Sequence, residues 1–121
     1  MGRLFTSSYR AWRPEFGVPV RTSLGAPRWM TAPLVAWPAV YPWGLFGKDL
    51  DEATFTRKYR ARLHRQGPRV LRELADLREG YGDLVLLCFE DLAKPGVWCH
   101  RTVLAGWISE QLGEEVLEAT T

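Results

Sequence analysis

Cysteine is scarce in this chain: Cys88 and Cys99 are the two in 121 residues, too few for a scaffold held by disulfides. Lysine is scarcer than its partner cation, with three against thirteen arginines. No apolar run approaches the ~20 residues that cross a bilayer. Residues Met1 to Thr6 lack the long apolar core of a secretory signal. The expectation is therefore a cytoplasmic, reducing setting with no membrane partner and two free thiols. No glycine-rich nucleotide fingerprint occurs, nor a Cys-x-x-Cys pair. A Cys-x-x-x-x-x-Arg phosphatase loop is absent too, because Arg101 follows Cys99 too closely. There is no internal repeat and no linker. What is present is globular: 46% hydrophobic and 25% charged residues exclude a disordered chain, and 13.8 kDa suits one domain spanning 1–121.

The net charge of +2 conceals an asymmetry. Residues 1–48 hold six basic residues against Glu15 alone, while residues 49–121 hold ten basic and thirteen acidic ones. Between Arg57 and Arg72 stand Arg57, Lys58, Arg60, Arg62, Arg65, Arg69 and Arg72, plus His64, with no acid among them. Such a run presents either a cationic face to phosphates or a solvated helix surface. A pI near 8.7 falls short of a dedicated nucleic-acid binder.

Hydrophobic periodicity predicts strands at Arg3 to Ser8 and Val18 to Ser23, parted by a turn around Pro14 to Gly17. Residues 24–48 carry four prolines and three tryptophans and read as a long irregular loop, with one extended piece near Leu34 to Ala36. Its tryptophans form either a satellite core or an aromatic platform for a ligand ring. Asp49 with Glu52 suggests a capping box, after which Phe55, Tyr59 and Leu63 share one helix face. Gly67 ends that helix and Pro68 starts the next, which buries Val70, Leu71, Leu74 and Leu77. Residues 84–89 form a continuous apolar strand, as expected of one covered on both faces. From Thr102 the spacing of Val103, Leu104, Trp107, Ile108 and Leu112 is helical, Gly113 closes it, and Val116 to Ala119 returns as an edge strand. The predicted architecture is α/β: one three-layer domain with a small, mostly parallel sheet and a βαβ unit at its carboxyl end.

The chemistry gathers around one turn. Leu84, Leu86, Cys88 and Glu90 lie on one side of the strand, with Glu90 at its carboxyl end, the edge where ligands bind in open α/β sheets. If Cys99 opens the next helix, its amide groups and dipole stabilise a thiolate, with His100 and Arg101 adding to this. Cys99 is thus the candidate nucleophile and Glu90 the candidate general acid or base. Arg10 and Arg21, leaving the first strands, are placed to hold an anion, with Thr6 and Ser7 donating hydrogen bonds to it. The structural alternative is a buried Glu90 to Arg101 pair fastening helix to sheet, with both cysteines as small core residues. Cys88, Cys99 and His100 also offer three soft metal ligands, with Glu90 or His64 as a fourth. Adjacent Cys99 and His100 tend to point apart at a helix start, so neither a metal nor a cofactor is expected.

Leu87-Cys88-Phe89-Glu90 followed by Cys99-His100-Arg101, a helix ending at Glu110 to Gly113 and the strand Val116-Leu117-Glu118 resembles the carboxyl half of domain-of-unknown-function family 488, a bacterial and phage family. Leu4-Phe5-Thr6-Ser7-Ser8 is similar to that family's opening strand, Val18-Pro19-Val20-Arg21 to its second strand, and Phe55-x-x-x-Tyr59 to its aromatic helix. Pro19 stands where the family commonly has an aspartate. The resemblance implies an α/β fold and a shared pocket, adding Tyr59, Cys88, His100 and Arg101 to the ligand-binding residues, but brings no settled activity. Two functions follow as expectations. One is a small enzyme using Cys99 and Glu90 on a nucleotide or other nucleic-acid-type anionic ligand. The other is a non-catalytic module docking nucleic acid or protein through its arginines and tryptophans.

Overall fold

Side chains alternate across a strand, so each short apolar segment here carries two different faces. The computed structural model describes residues 2–45, 50–90, 92 and 96–119. Its strands are β1 (Leu4–Ser8), β2 (Val18–Arg21), β3 (Val35–Ala36), β4 (Leu84–Cys88) and β5 (Leu117–Glu118). All run parallel, in the order β3-β2-β4-β1-β5. The helices are α1 (Glu52–Arg65), α2 (Gly67–Tyr81) and α3 (His100–Leu112).

Leu4, Val20, Leu84 and Leu86 point to the helical side, where Phe55, Tyr59 and Leu63 of α1, Val70 and Leu74 of α2, and Leu104, Trp107 and Ile108 of α3 cover them. Val85 and Leu87 point the other way, onto Tyr9 with Phe5, Trp12, Phe16, Met30 and Leu34. The domain therefore has three layers, of which the third is built from irregular segments rather than helices. Every residue of β4 is buried, which explains its unbroken apolar run. Each fully buried leucine there contributes about 1.5–3 kcal/mol of transfer free energy.

Several local expectations are corrected. The cap of α1 is Asp51, whose Oδ1 accepts from the Thr54 amide at 2.7 Å; Asp49 lies outside the described residues. Asp51 also has its carboxyl held below the usual range, chiefly by that hydrogen bond. Phe89 leaves the strand and is exposed. The last strand is shorter than Val116 to Ala119 and pairs with β1, so the β4–α3–β5 crossover passes over one strand. Helix α3 starts two residues before Thr102 and ends, as its sequence indicates, on Gly113 in the left-handed conformation, φ 66°. Gly17 is needed for a different reason: its φ is 136°, and a Cβ there would sit 2.8 Å from the Asp83 carbonyl oxygen.

Arg78, on α2, was not foreseen in the interior. It donates twice to the Gly2 carbonyl, at 2.9 and 2.6 Å, and forks onto the Glu114 carboxylate at 2.5 and 3.0 Å. These bonds tie the chain before β1 to the segment before β5. Among the described residues, no helix is long and apolar enough to cross a membrane.

Candidate functional site

In a parallel sheet all strands end on the same side, and here Ser8, Arg21 and Cys88 mark that edge. Cys99 stands over it as the cap residue of α3, in extended conformation (φ −147°, ψ 149°), with its Sγ accepting from the Arg101 amide at 3.5 Å. The short polar residue that usually caps a helix is replaced by a thiol. Glu90 follows β4 by two residues and returns to the side of Cys88, its Oε2 3.3 Å from Cys88 Sγ.

His100 fixes the chemistry of this corner. A carbonyl oxygen only accepts, so the 2.9 Å contact between His100 Nε2 and the Thr22 oxygen places the ring proton on Nε2. Nδ1 then keeps its lone pair and faces Cys99 Sγ at 3.6 Å. Thr22 is held in turn, its Oγ1 donating to the Leu87 carbonyl at 2.8 Å. Tyr59 meets the imidazole edge-on, with ring centroids 5.8 Å apart. Burial, with the neighbouring Arg101 charge, lowers the His100 pKa from 6.5 to about 4, so the ring is neutral at physiological pH.

A cavity of about 350 Å³ opens beside this group, lined by Glu90, Cys99 and His100 at one end and by Leu45, Leu50, Phe55 and Trp98 along its apolar walls. The Phe55 and Trp98 rings meet at a 50° tilt, with centroids 5.1 Å apart. A second cavity, of about 560 Å³, shares Glu90 and Val97 with the first and is lined by Arg10, Tyr9, Trp29 and Phe89.

In place of the two free thiols expected, Cys88 and Cys99 are bridged, their Cα atoms 7.3 Å apart. The side chains at the end of β4 and at the head of α3 both turn inward across the one turn that they flank. Cys88, Cys99 and His100 thereby place three potential ligand atoms within 4.8 Å of one another. Adjacent Cys99 and His100 do not point apart, because the cap residue still has strand-like backbone while its neighbour is already helical.

Arg101 is sealed rather than open. It forks onto Glu118 at 2.6 and 3.1 Å and donates through Nη1 to the Glu90 carbonyl oxygen and to Cys88 Sγ, both at 2.8 Å. Its carboxylate partner is thus Glu118, not Glu90. The expected anion cradle does not assemble. Thr6 Oγ1 donates to Glu118 at 2.6 Å, and Ser7 is fully buried with its hydroxyl on the Ser8 carbonyl. Arg21 stacks over Tyr41 at 4.8 Å and donates to the Ser23 and Leu24 carbonyls. Arg10 lines the second cavity. Tyr59 is buried with its hydroxyl on the Val40 carbonyl, so it supports His100 instead of lining the opening.

Two contributors escaped sequence reasoning. Thr22 carries no signal beyond its place near the end of the expected strand Val18 to Ser23, which in the structure stops at Arg21. Trp98 does carry one, an aromatic directly before the Cys-His pair. The tryptophans of the proline-rich loop divide: Trp37 is buried, its Nε1 donating to Glu73 at 2.9 Å, while Trp29 and Trp43 are exposed. Comparison with protein-family models, with curated proteins and with solved structures finds no match to this chain.

Proposed function

We propose that this chain is a small thiol-dependent enzyme, with Cys99 as nucleophile, acting on a nucleotide or related nucleic-acid-type ligand in a reducing, cytoplasmic setting. The observation that carries the reading is the Cys99 Sγ to His100 Nδ1 approach of 3.6 Å, with the imidazole oriented through Nε2 by the Thr22 carbonyl. Nucleophile, base and orienting group are the three parts an activated thiol needs. Reduction of the Cys88–Cys99 bridge gives the working form. His100 Nδ1 takes the Cys99 proton, the sulfur adds to an electrophilic carbon, and the leaving group departs with the proton that His100 passes on. Glu90 then takes a proton from the water that hydrolyses the thio-adduct and returns it to the Cys99 sulfur as the carbon–sulfur bond breaks. The helix amino end and the Arg101 amide favour the thiolate.

The ligand class rests on the walls. Phe55 and Trp98 suit a planar ring, Glu90 can accept from an exocyclic amine, and Arg10 in the adjoining cavity suits a phosphate. Membership of family 488 belongs to the same proposal, on the Cys-x-Glu and Cys-His-Arg residues that line or buttress this corner. The test is site-resolved alkylation of the reduced protein by iodoacetamide with AMP, GMP, CMP or UMP present. At least one nucleotide should slow labelling of Cys99, and inorganic phosphate alone should not. If none of the four slows it and none raises Tm, the nucleotide reading is wrong.

One observation favours the binding-module alternative: Arg57, Lys58, Arg65 and Arg72 are exposed on α1 and α2, whereas Arg60 and Arg69 are taken up by Glu110 and Glu73. If they hold nucleic acid, affinity for a labelled single strand or duplex falls steeply as salt rises. Absence of association at low salt removes this alternative in its nucleic-acid form.

A further inference from the structure

We infer that Cys88, Cys99 and His100 form a binding site for a zinc-class divalent ion, with the cavity beside Glu90 as the fourth position. The site goes beyond the thiol reading and does not depend on it. Three soft donors within 4.8 Å of one another, all buried, match the Cys and His set that zinc selects.

The spacing fits as well as the donor types. Tetrahedral bonds of about 2.3 Å to sulfur and 2.0–2.1 Å to nitrogen set a sulfur–nitrogen edge of about 3.6 Å. Cys99 Sγ and His100 Nδ1 lie 3.6 Å apart. The His100 tautomer is already the one a metal requires: Nε2–H is committed to the Thr22 carbonyl, the second-shell bond that typically orients a ligating imidazole, and Nδ1 presents its lone pair to the sulfurs.

The two cysteines suit an ion better than a permanent bridge. Their Cα separation of 7.3 Å exceeds the roughly 4.4–6.8 Å usual for disulfides, so reduced sulfurs have room to part around an ion. Each thiolate also has a donor waiting: the Arg101 amide on Cys99 at 3.5 Å, and Arg101 Nη1 on Cys88 at 2.8 Å. That guanidinium offsets the charge of two buried thiolates. The fourth position opens toward the cavity, where Glu90 Oε2 already lies 3.3 Å from Cys88 Sγ. His64, exposed on α1, is not among the grouped donors. A bound ion would hold the Cys99 sulfur as a ligand and withdraw it from nucleophilic use, so metal and oxidation would each cap the same thiol.

The experiment uses the whole chain, reduced with a phosphine, freed of metal by a chelator and then titrated with Zn²⁺ or Co²⁺. Native mass spectrometry should show one ion per chain, and Co²⁺ should give thiolate-to-metal charge transfer with the intense visible bands of a tetrahedral site. Binding should release protons from the thiols. His100→Gln should weaken the site by more than about 100-fold, beyond the effect typical of second-shell changes. Cys99→Ser should remove its share of the charge-transfer band, and His64→Ala should change nothing. Should a variant fail to fold, the unmodified chain still decides: Zn²⁺ should protect both cysteines from alkylation, and protein oxidised with diamide should take up none. The inference is overturned if the reduced chain binds no ion, or if the oxidised chain binds equally well. Failure of uptake while Cys99 of the metal-free protein still alkylates near neutral pH would remove the metal site and leave the thiol reading standing. Uptake by a chain whose Cys99 is inert would do the reverse.

Discussion

His100 contributes to stability only while it is neutral. In the metal-free protein its folded pKa is depressed to about 4 against an ordinary 6.5, so between these values the unfolded chain binds a proton that the native one does not. The contribution is complete above the unfolded value and is lost as pH falls through this window, amounting to about 3 kcal/mol at its largest. Denaturant titrations at stepped pH should show this acid-side loss, and His100→Gln should flatten it. A slope unchanged by the substitution would move the effect to another group. Tyr59 is simpler. Its hydroxyl satisfies the buried Val40 carbonyl, so Tyr59→Phe should cost about 1–3 kcal/mol by leaving that oxygen unpaired, read from the urea midpoint at constant m. At this scale the sequence was legible where position follows from local pattern: Cys99 at a helix start, Glu90 just past a strand end. It was illegible for Thr22, Glu118 and Arg78, whose roles are partnerships between segments distant in the chain.

Helix α3 is joined to β5 chiefly by Arg101. That residue is almost fully buried, and its fork reaches Glu118 on an edge strand of only two residues. Arg101→Met should destabilise the domain by about 2–3 kcal/mol, the scale of charged hydrogen bonds lost, with β5 freed first. Glu118→Gln should cost less, because the carboxylate is partly solvated and the guanidinium keeps the Glu90 carbonyl. Hydrogen exchange on the Ala119 amide, which donates to the Thr6 carbonyl at 2.7 Å, reports the release; equal protection in both variants would contradict it. Elements with strong periodicity, such as α1 with Phe55, Tyr59 and Leu63, were readable because the core needs those positions apolar. The cap of α1 was not: Asp49 and Asp51 both precede it, and only backbone geometry selects Asp51.

Among the described residues the molecule is an all-parallel sheet whose carboxyl edge gathers Cys88, Glu90, Cys99 and His100, while Arg21, Arg60, Arg69, Arg78 and Arg101 serve as fasteners. The α/β class was legible from strands and helices in alternation. The third layer was not, because loops rich in proline and tryptophan carry no periodicity to show which face they cover. The site divides the same way. Cys88, Glu90, Cys99 and His100 converge, whereas Thr6, Ser7, Arg21 and Arg101 are consumed in structural bonds, since residue type alone does not distinguish a free guanidinium from a satisfied one. We propose above all that Cys99 is a reactive thiol opening on a cavity, with His100 as its base. Site-resolved alkylation of the reduced, metal-free protein across pH decides the matter. Cys99 should label before Cys88 and near neutral pH, and His100→Gln should slow Cys99 about 10²–10⁴-fold, the range of a general base, without unfolding the chain. Labelling of Cys99 only at the rate of global unfolding, or unaffected by loss of His100, would contradict it.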